Sequence, residues 1–401
     1  MMDHERDILV PITDDMSVLK PIEDYEFYDA IRRETSKIAA NVIPFADTVV
    51  AEKHGENYIY SPLSTWTCYM FLASGLHGEA KTRLLQQLES AEPLDPEFQD
   101  RAIGQLMDDM NRAGGALNLK NYLFVEKNLT VDPGFAKVAY TFRAGIYAMD
   151  LEHNVQVTDA INAMIERETY ELIRDFYGQP IDPMTSTILM NIVAMNAKWK
   201  KPFDRDETQE RPFTLSDGTR VKASMMHQEN TFDWFENDIA DVLKMDYETR
   251  DYIVFMLPKP DVTPEDVLHA WLHEHRLERA FEPAIVDVTM PRVSIESDWL
   301  LQKPLTDMGL GYLFTGGVPG MHGILENQEF LIADSRQKAR IEIFEEGTKA
   351  AAVTDMIMRT AFIPPKEHVT LVFDRPYAFA VYSADDVELF RGVVSDPTPE
   401  F

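Results

Sequence analysis

Between Tyr25 and Glu52, Ile31, Ile38, Val42, Phe45 and Val49 recur at roughly helical spacing, which predicts a helix or helix pair that Pro44 bends or interrupts. Ser61-Pro62 then offers a hydroxyl N-cap with proline at the first helical position, and Leu63, Trp66, Met70 and Phe71 follow on one face of a buried helix. Helical stretches such as Val157 to Tyr177 dominate the first half of the chain. The run Ile188 to Ala197 is apolar almost throughout, broken by Asn191 and Asn196, as expected of a central strand covered on both faces. From Gln337 to Glu345 the period is two, with Ala339, Ile341 and Ile343 alternating with Lys338, Arg340 and Glu342. Strand-like stretches of this kind dominate the second half, and the fold class is α+β. Residues 1–23 are polar, acidic and punctuated by Pro11 and Pro21, which reads as a loosely held tail. No repeat, low-complexity block or interior linker divides the rest, so residues 24–401 are read as one domain.

With 401 residues, 45% of them hydrophobic, the chain can bury a large core. Its 68 acidic and 38 basic residues give a formal charge of −30, which opposes a surface for nucleic acid or anionic lipid. Cys68 is the only cysteine, so no intramolecular disulfide can form. The start has no apolar stretch of signal-peptide length and no later window approaches a membrane span, so no membrane insertion is expected. Either the protein stays inside the cell or a leader has been removed. No Gly-x-Ser-x-Gly elbow, P-loop, His-Glu-x-x-His or paired-cysteine motif is present, and the chain is read as no enzyme, with no cofactor and no metal. His269 and His273 sit four apart with His275 nearby; chance surface histidines explain them better than a metal site.

The stretch after Glu345 has an unusual parity. Thr348, Ala350, Ala352, Thr354, Met356 and Met358 are small or uncharged, while Lys349, Asp355 and Arg359 all fall on odd positions. That is a strand pattern, but the stretch is rich in alanine and threonine and ends at Ile363-Pro364-Pro365, so strand and loop both fit. A plain hairpin partner of the preceding strand fits the parity equally well.

Glu345-Glu346-Gly347-Thr348-Lys349-Ala350-Ala351-Ala352 resembles the hinge of the serpin reactive loop. Further resemblances follow in order along residues 25–397. They include Asn57 to Ser64, Asn191 to Trp199 with Pro202-Phe203, Val288 to Arg292, Asp374 to Phe379 and Leu389 to Val394. The resemblance implies three β-sheets, the central one five-stranded, about nine helices, and an exposed reactive loop at about 347–365 held in a metastable state. It also implies a monomer whose partner is a target serine protease, held as a covalent acyl complex, and many relatives act outside cells. Cleavage would let the loop insert into the central sheet; a dozen new backbone bonds could supply on the order of 10 kcal/mol. No inward position would bury a charge.

In that framework the hinge is Glu345, Gly347, Thr348, Ala350, Ala352 and Thr354. Gly347 suits the turn into the new strand. A sheet-opening group of Ser61, Ser64, Asn191, Gln337, Trp199 and Arg292 is expected, with Glu345 pairing with Arg292 near Trp199. The family often has histidine where Gln337 stands. Family spacing puts the scissile bond between Ala361 and Phe362, which favours elastase-like or subtilisin-like targets. Cleavage after Thr360 keeps that preference, after Met358 suggests a chymotrypsin-like protease, and after Arg359 a trypsin-like one. The alternative is a non-inhibitory serpin serving as a carrier, chaperone or binding protein. Prolines or charges at inward hinge positions would mark that alternative, and Thr348, Ala350, Ala352 and Thr354 are neither.

Overall fold

Helix Tyr25–Val50 runs unbroken for 26 residues with Pro44 inside it, where the sequence suggested a bend or a break. Proline removes one helical bond and crowds the preceding turn, a cost of about 3 kcal/mol. Ile38, Val42, Phe45 and Val49 are all buried around it, each contributing roughly 1.5–3 kcal/mol, so packing outweighs the local penalty. Helix Pro62–Gly75 is buried almost all round rather than on one face. Ser61 precedes it, yet the Ser61 hydroxyl makes no cap bond and Pro62 alone shapes the start. Helix Asn154–Glu168 ends nine residues before the expected Tyr177. There the Thr169 hydroxyl donates to the Ile165 carbonyl at 2.8 Å and accepts from the Ile173 N–H, and Tyr170 and Glu171 take positive φ, which stops the spiral.

The computed structural model describes residues 8–13, 25–111, 117–273, 281–348 and 367–398. Its contacts divide the chain into two units, where the sequence was read as one domain. The first takes Met1–Glu52, Ser61–Ala194 and Ser297–Ala339, the second Lys53–Tyr60, Met195–Glu296 and Arg340–Phe401. Each is assembled from three separated stretches, so no linker composition could announce the division. Nine α-helical segments occur among the described residues, three of them six residues or shorter.

In one sheet, strand Leu9–Thr13 borders Ala144–Met149, followed by Leu117–Glu126, Thr187–Met195 and Asp334–Phe344, with Val293–Leu300 also pairing with Asp334–Phe344. The last five are the expected central sheet. The first is a surplus strand from the segment read as a loose tail; its uncharged run Ile8-Leu9-Val10-Pro11-Ile12 was the available signal. Thr187–Met195 and Asp334–Phe344 run parallel, from Ile188 opposite Asp334 to Val193 opposite Ala339. Helix Asn154–Glu168 packs Val157, Ile161, Met164 and Ile165 onto Tyr122, Phe124, Ile188, Met190 and Ile192 of this sheet.

In the second unit the 17-residue strand Arg220–Glu236 pairs with Gln209–Thr214 and Glu282–Pro291 along most of its length and with Ala240–Asp246 at its end. One strand thus serves two groups, and the three expected sheets are connected by hydrogen bonds into two. The strands Tyr377–Tyr382 and Glu388–Val394 are wholly buried, and Trp199, Phe255, Phe373 and Tyr377 pack ring against ring beside them. Replacing Pro44 by alanine restores a helix donor without emptying the core. The variant should gain about 2 kcal/mol, the roughly 3 kcal/mol local penalty less the roughly 1 kcal/mol by which proline restrains the unfolded chain, read as a higher urea midpoint with unchanged slope.

Candidate functional site

Two polar assemblies interrupt these apolar interiors, one in each unit. In the first unit, the period-two strand carries Gln337 inward and the apolar strand carries Asn191 opposite it. Gln337 is fully buried; its Nε2 lies 3.0 Å from the Ser61 carbonyl, 2.6 Å from Thr65 Oγ1 and 3.2 Å from Asn191 Oδ1. Its Oε1 accepts from the Ser61 N–H at 3.0 Å. The Ser64 hydroxyl donates to Asn191 Oδ1, and Asn191 Nδ2 donates to Asn121 Oδ1 at 2.8 Å. Each partner is a hydroxyl, an amide or backbone. With glutamine at position 337 the network holds no side chain that titrates near neutral pH. Thr65 and Asn121 join the network although neither carried a signal in the sequence, because only the packing of separate elements places them there.

The second unit holds Glu345 and the residues that follow it up to Thr348. Glu345 follows strand Asp334–Phe344 and is nearly fully buried. Arg292 Nε lies 2.8 and 3.1 Å from its two carboxylate oxygens and Arg292 Nη2 2.6 Å from one of them. The Thr208 hydroxyl donates to the same carboxylate. Burial would raise the Glu345 carboxyl, but the bonds from Arg292 and Thr208 outweigh it and hold it below the usual range. The Phe203 N–H donates to the Glu345 carbonyl, and the Trp199 N–H to the Glu346 carbonyl, each at 2.9 Å. Trp199 Nε1 donates to the Phe344 carbonyl at 2.9 Å.

Gly347 follows at φ 148°, in the region that favours glycine, and a β-carbon there would collide with the Ala197 carbonyl. Gly347 and Thr348 form a two-residue strand between two others. Phe344 and Ile343 pair on one side, Lys198 and Ala197 on the other. Thr348 is buried, and its hydroxyl lies 2.8 Å from that of Tyr247, whose ring stacks on Trp199 at 4.6 Å. Burial pushes the Tyr247 phenol up, so it keeps its proton.

The structure therefore brings together Ser61, Ser64, Asn191 and Gln337 in one unit, and Trp199, Arg292, Glu345, Gly347 and Thr348 in the other. Trp199 and Arg292, grouped with the sheet-opening residues in the sequence reading, contact Phe344 and Glu345 in the second unit. The inward positions Ala350, Ala352 and Thr354 and the candidate bond residues Met358, Arg359, Thr360, Ala361 and Phe362 lie outside the described residues. Thr208, Tyr247 and Phe203 are hinge partners that the sequence reading missed as such. Among the described residues no group of three histidines, cysteines or carboxylates could hold a metal. His269 and His273 face each other on helix Pro264–His273, and no helix among the described residues is long and apolar enough to cross a membrane.

Beyond Glu345 the sheet continues through the short strand Gly347–Thr348 to Ala197–Lys198. The chain belongs to the serpin family: the family model for serine protease inhibitors matches residues 42–397. Rat alpha-1-antiproteinase is 27% identical, with 94% of each chain covered, and mouse alpha-1-antitrypsin 1-3 is 28% identical with the same coverage. The structure of thyroxine-binding globulin in complex with thyroxine superposes with a TM-score of 0.79 at 24% identity, over 90% of this chain and 100% of that one. Human glycosylated kallistatin gives a TM-score of 0.77 at 24% identity, over 92% and 100%. Serpins are protease inhibitors rather than enzymes, and the fold here is the serpin fold.

Arg292→Ala leaves the buried Glu345 carboxylate without its cation. Because Arg292 is one-third exposed, the loss should be roughly 2–3 kcal/mol, short of a fully buried pair. A depressed folded pKa contributes stability above the unfolded value and loses it as pH falls through the folded one. The difference between wild type and variant, measured by urea unfolding, should therefore be full at pH 7 and shrink below about pH 4. Asn191→Leu strands the Ser64 and Gln337 donors and should cost about 2–3 kcal/mol in the same assay, with no pH dependence between 5 and 8.

Proposed function

We propose that this serpin inhibits serine proteases of elastase-like or subtilisin-like specificity by trapping the acyl-enzyme. The protease serine oxygen bonds the Ala361 carbonyl carbon while the Ala361–Phe362 amide breaks, and the Phe362 nitrogen leaves with the proton. The segment after Thr348, from Lys349 onward, then joins the central sheet and carries the tethered protease with it.

The observation that carries this reading is the register of Gly347 and Thr348. Gly347 is flanked by Phe344 and Lys198, which lie 146 residues apart in sequence, the same offset that relates Asp334 to Ile188 and Gln337 to Asn191. An added strand that keeps its starting register needs no slip against either neighbour. Ala350 then falls opposite Ile341, Ala352 opposite Ala339 and Thr354 opposite Gln337, small groups against the inward side of the strand. Two of the three outward charges fall opposite complementary ones, Lys349 against Glu342 and Asp355 against Arg336. Such cross-strand pairs contribute roughly 0.2–1 kcal/mol each. A carrier or binding protein has no need of this match along a segment that never inserts.

Mixing the protein separately with elastase, subtilisin, chymotrypsin and trypsin tests the reading. An SDS-resistant complex with elastase or subtilisin, releasing a peptide that begins at Phe362, is expected. Clean cleavage by all four without a complex would mean a substrate-like, non-inhibitory serpin. Thr348→Arg should abolish the complex while leaving the loop cleavable, because a guanidinium cannot enter the buried site beside Tyr247; undiminished inhibition by that variant would count against insertion.

A further inference from the structure

Strand Ala144–Met149 would be the margin of the central sheet but for residues near the start of the chain. Leu9, Val10, Pro11 and Thr13 pair antiparallel with Met149, Ala148, Tyr147 and Ile146, with a register shift between Pro11 and Thr13. The Asp150 N–H extends the ladder, donating to the Ile8 carbonyl at 3.2 Å. Ile8, Leu9 and Tyr147 pack against the cluster beneath helix Asn154–Glu168. Val10 and Ile12, of opposite parity to Leu9, are 46% and 40% exposed. The covering segment is thus held by a backbone ladder and two half-buried side chains, a modest attachment for so short a strand.

An uncovered sheet margin presents unpaired N–H and C=O groups to any extended chain. Ala144-Gly145-Ile146-Tyr147-Ala148-Met149 has no charge and no proline, so nothing within it discourages such pairing. The covering segment carries those devices in its place. Pro11 has no N–H to offer a further strand, the ladder is irregular next to it, and Asp14 and Asp15 follow in sequence. The sheet is therefore terminated by a segment fitted to pair on one side only.

We propose that the margin of Ala144–Met149 is a strand-docking site for an extended apolar segment, and that Ile8–Thr13 of the same chain is its resident occupant. Docked there, the segment closes the central sheet against a second copy of the chain. This goes beyond the inhibitory reading and does not depend on it.

The test uses the chain lacking residues 1–13 and a fluorescein-labelled peptide, Asp-Ile-Leu-Val-Pro-Ile-Thr-Asp, corresponding to residues 7–14. The peptide should bind the shortened chain at least about ten-fold more tightly than the full chain, and its Leu9→Asp version should lose about ten-fold or more. Equal binding by both chains, or binding indifferent to Leu9→Asp, would overturn the site, as would self-association of the shortened chain that the peptide does not reverse. If the shortened chain does not fold, hydrogen exchange in the full-length Leu9→Asp variant decides. The amides of Ile146 to Asp150 should exchange at least about ten-fold faster, with those of Thr187–Met195 unchanged. Unaltered exchange at Ile146 to Asp150 would overturn the proposal.

Discussion

A carboxylate cannot remain ionised in an apolar interior without compensation, and Glu345 is ionised because Arg292 and Thr208 hold both of its oxygens. The geometry that follows in sequence depends on this anchor. With Glu345 held by its side chain and by the Phe203 N–H, and Glu346 by the Trp199 N–H, the backbone leaves the strand at a fixed point and in a fixed direction. Gly347 can then pass close to the Ala197 carbonyl, where no other residue fits, and Thr348 arrives in a pocket shaped by Tyr247 stacked on Trp199. The register of Gly347 and Thr348 against both neighbours is set there.

The seam between Thr187–Met195 and Asp334–Phe344 is built on the opposite principle. Both strands are buried and could have been zipped by apolar contacts alone, yet Asn191 and Gln337 sit opposite each other and gather Ser61, Ser64, Thr65 and Asn121. A fully bonded polar network specifies one arrangement of its strands while contributing little net stability, since each bond replaces one to water. Such a seam is well defined when shut and less costly to part than interdigitated side chains, provided the parted groups find new partners.

Much of this was legible along the chain. The helix after Ser61-Pro62, the apolar strand around Ile192 and the alternation from Lys338 to Ile343 follow from periods of 3.6 and 2, properties of consecutive residues. Parity from Thr348 to Met358 is likewise a property of consecutive residues, but it fits a hairpin partner as well as a hinge, and only the family resemblance chose between them. Pro44 and the end of helix Asn154–Glu168 were not legible. In the first case burial contributed by other elements overrides a local penalty, and in the second a threonine hydroxyl and two positive-φ residues stop a pattern that continues in apolar content. The strand at Leu9–Thr13 had a signal, five uncharged residues, but its short length and Pro11 matched a tail equally well until a neighbouring strand supplied its partner.

By itself, then, the sequence determined the α+β class and the alternation of its strands, because both are carried by neighbouring residues whose chemistry needs no distant partner to be read; the seam and hinge residues were singled out by resemblance to a family. Tertiary structure alone decided which polar groups meet. Thr65 and Asn121 join Gln337 and Asn191, Thr208 and Tyr247 join Glu345 and Thr348, and Ile146 receives Thr13, across sequence separations that no local period encodes. Hydrogen bonds and ion pairs depend on distances of about 3 Å between particular atoms, and such distances exist only once the chain has folded.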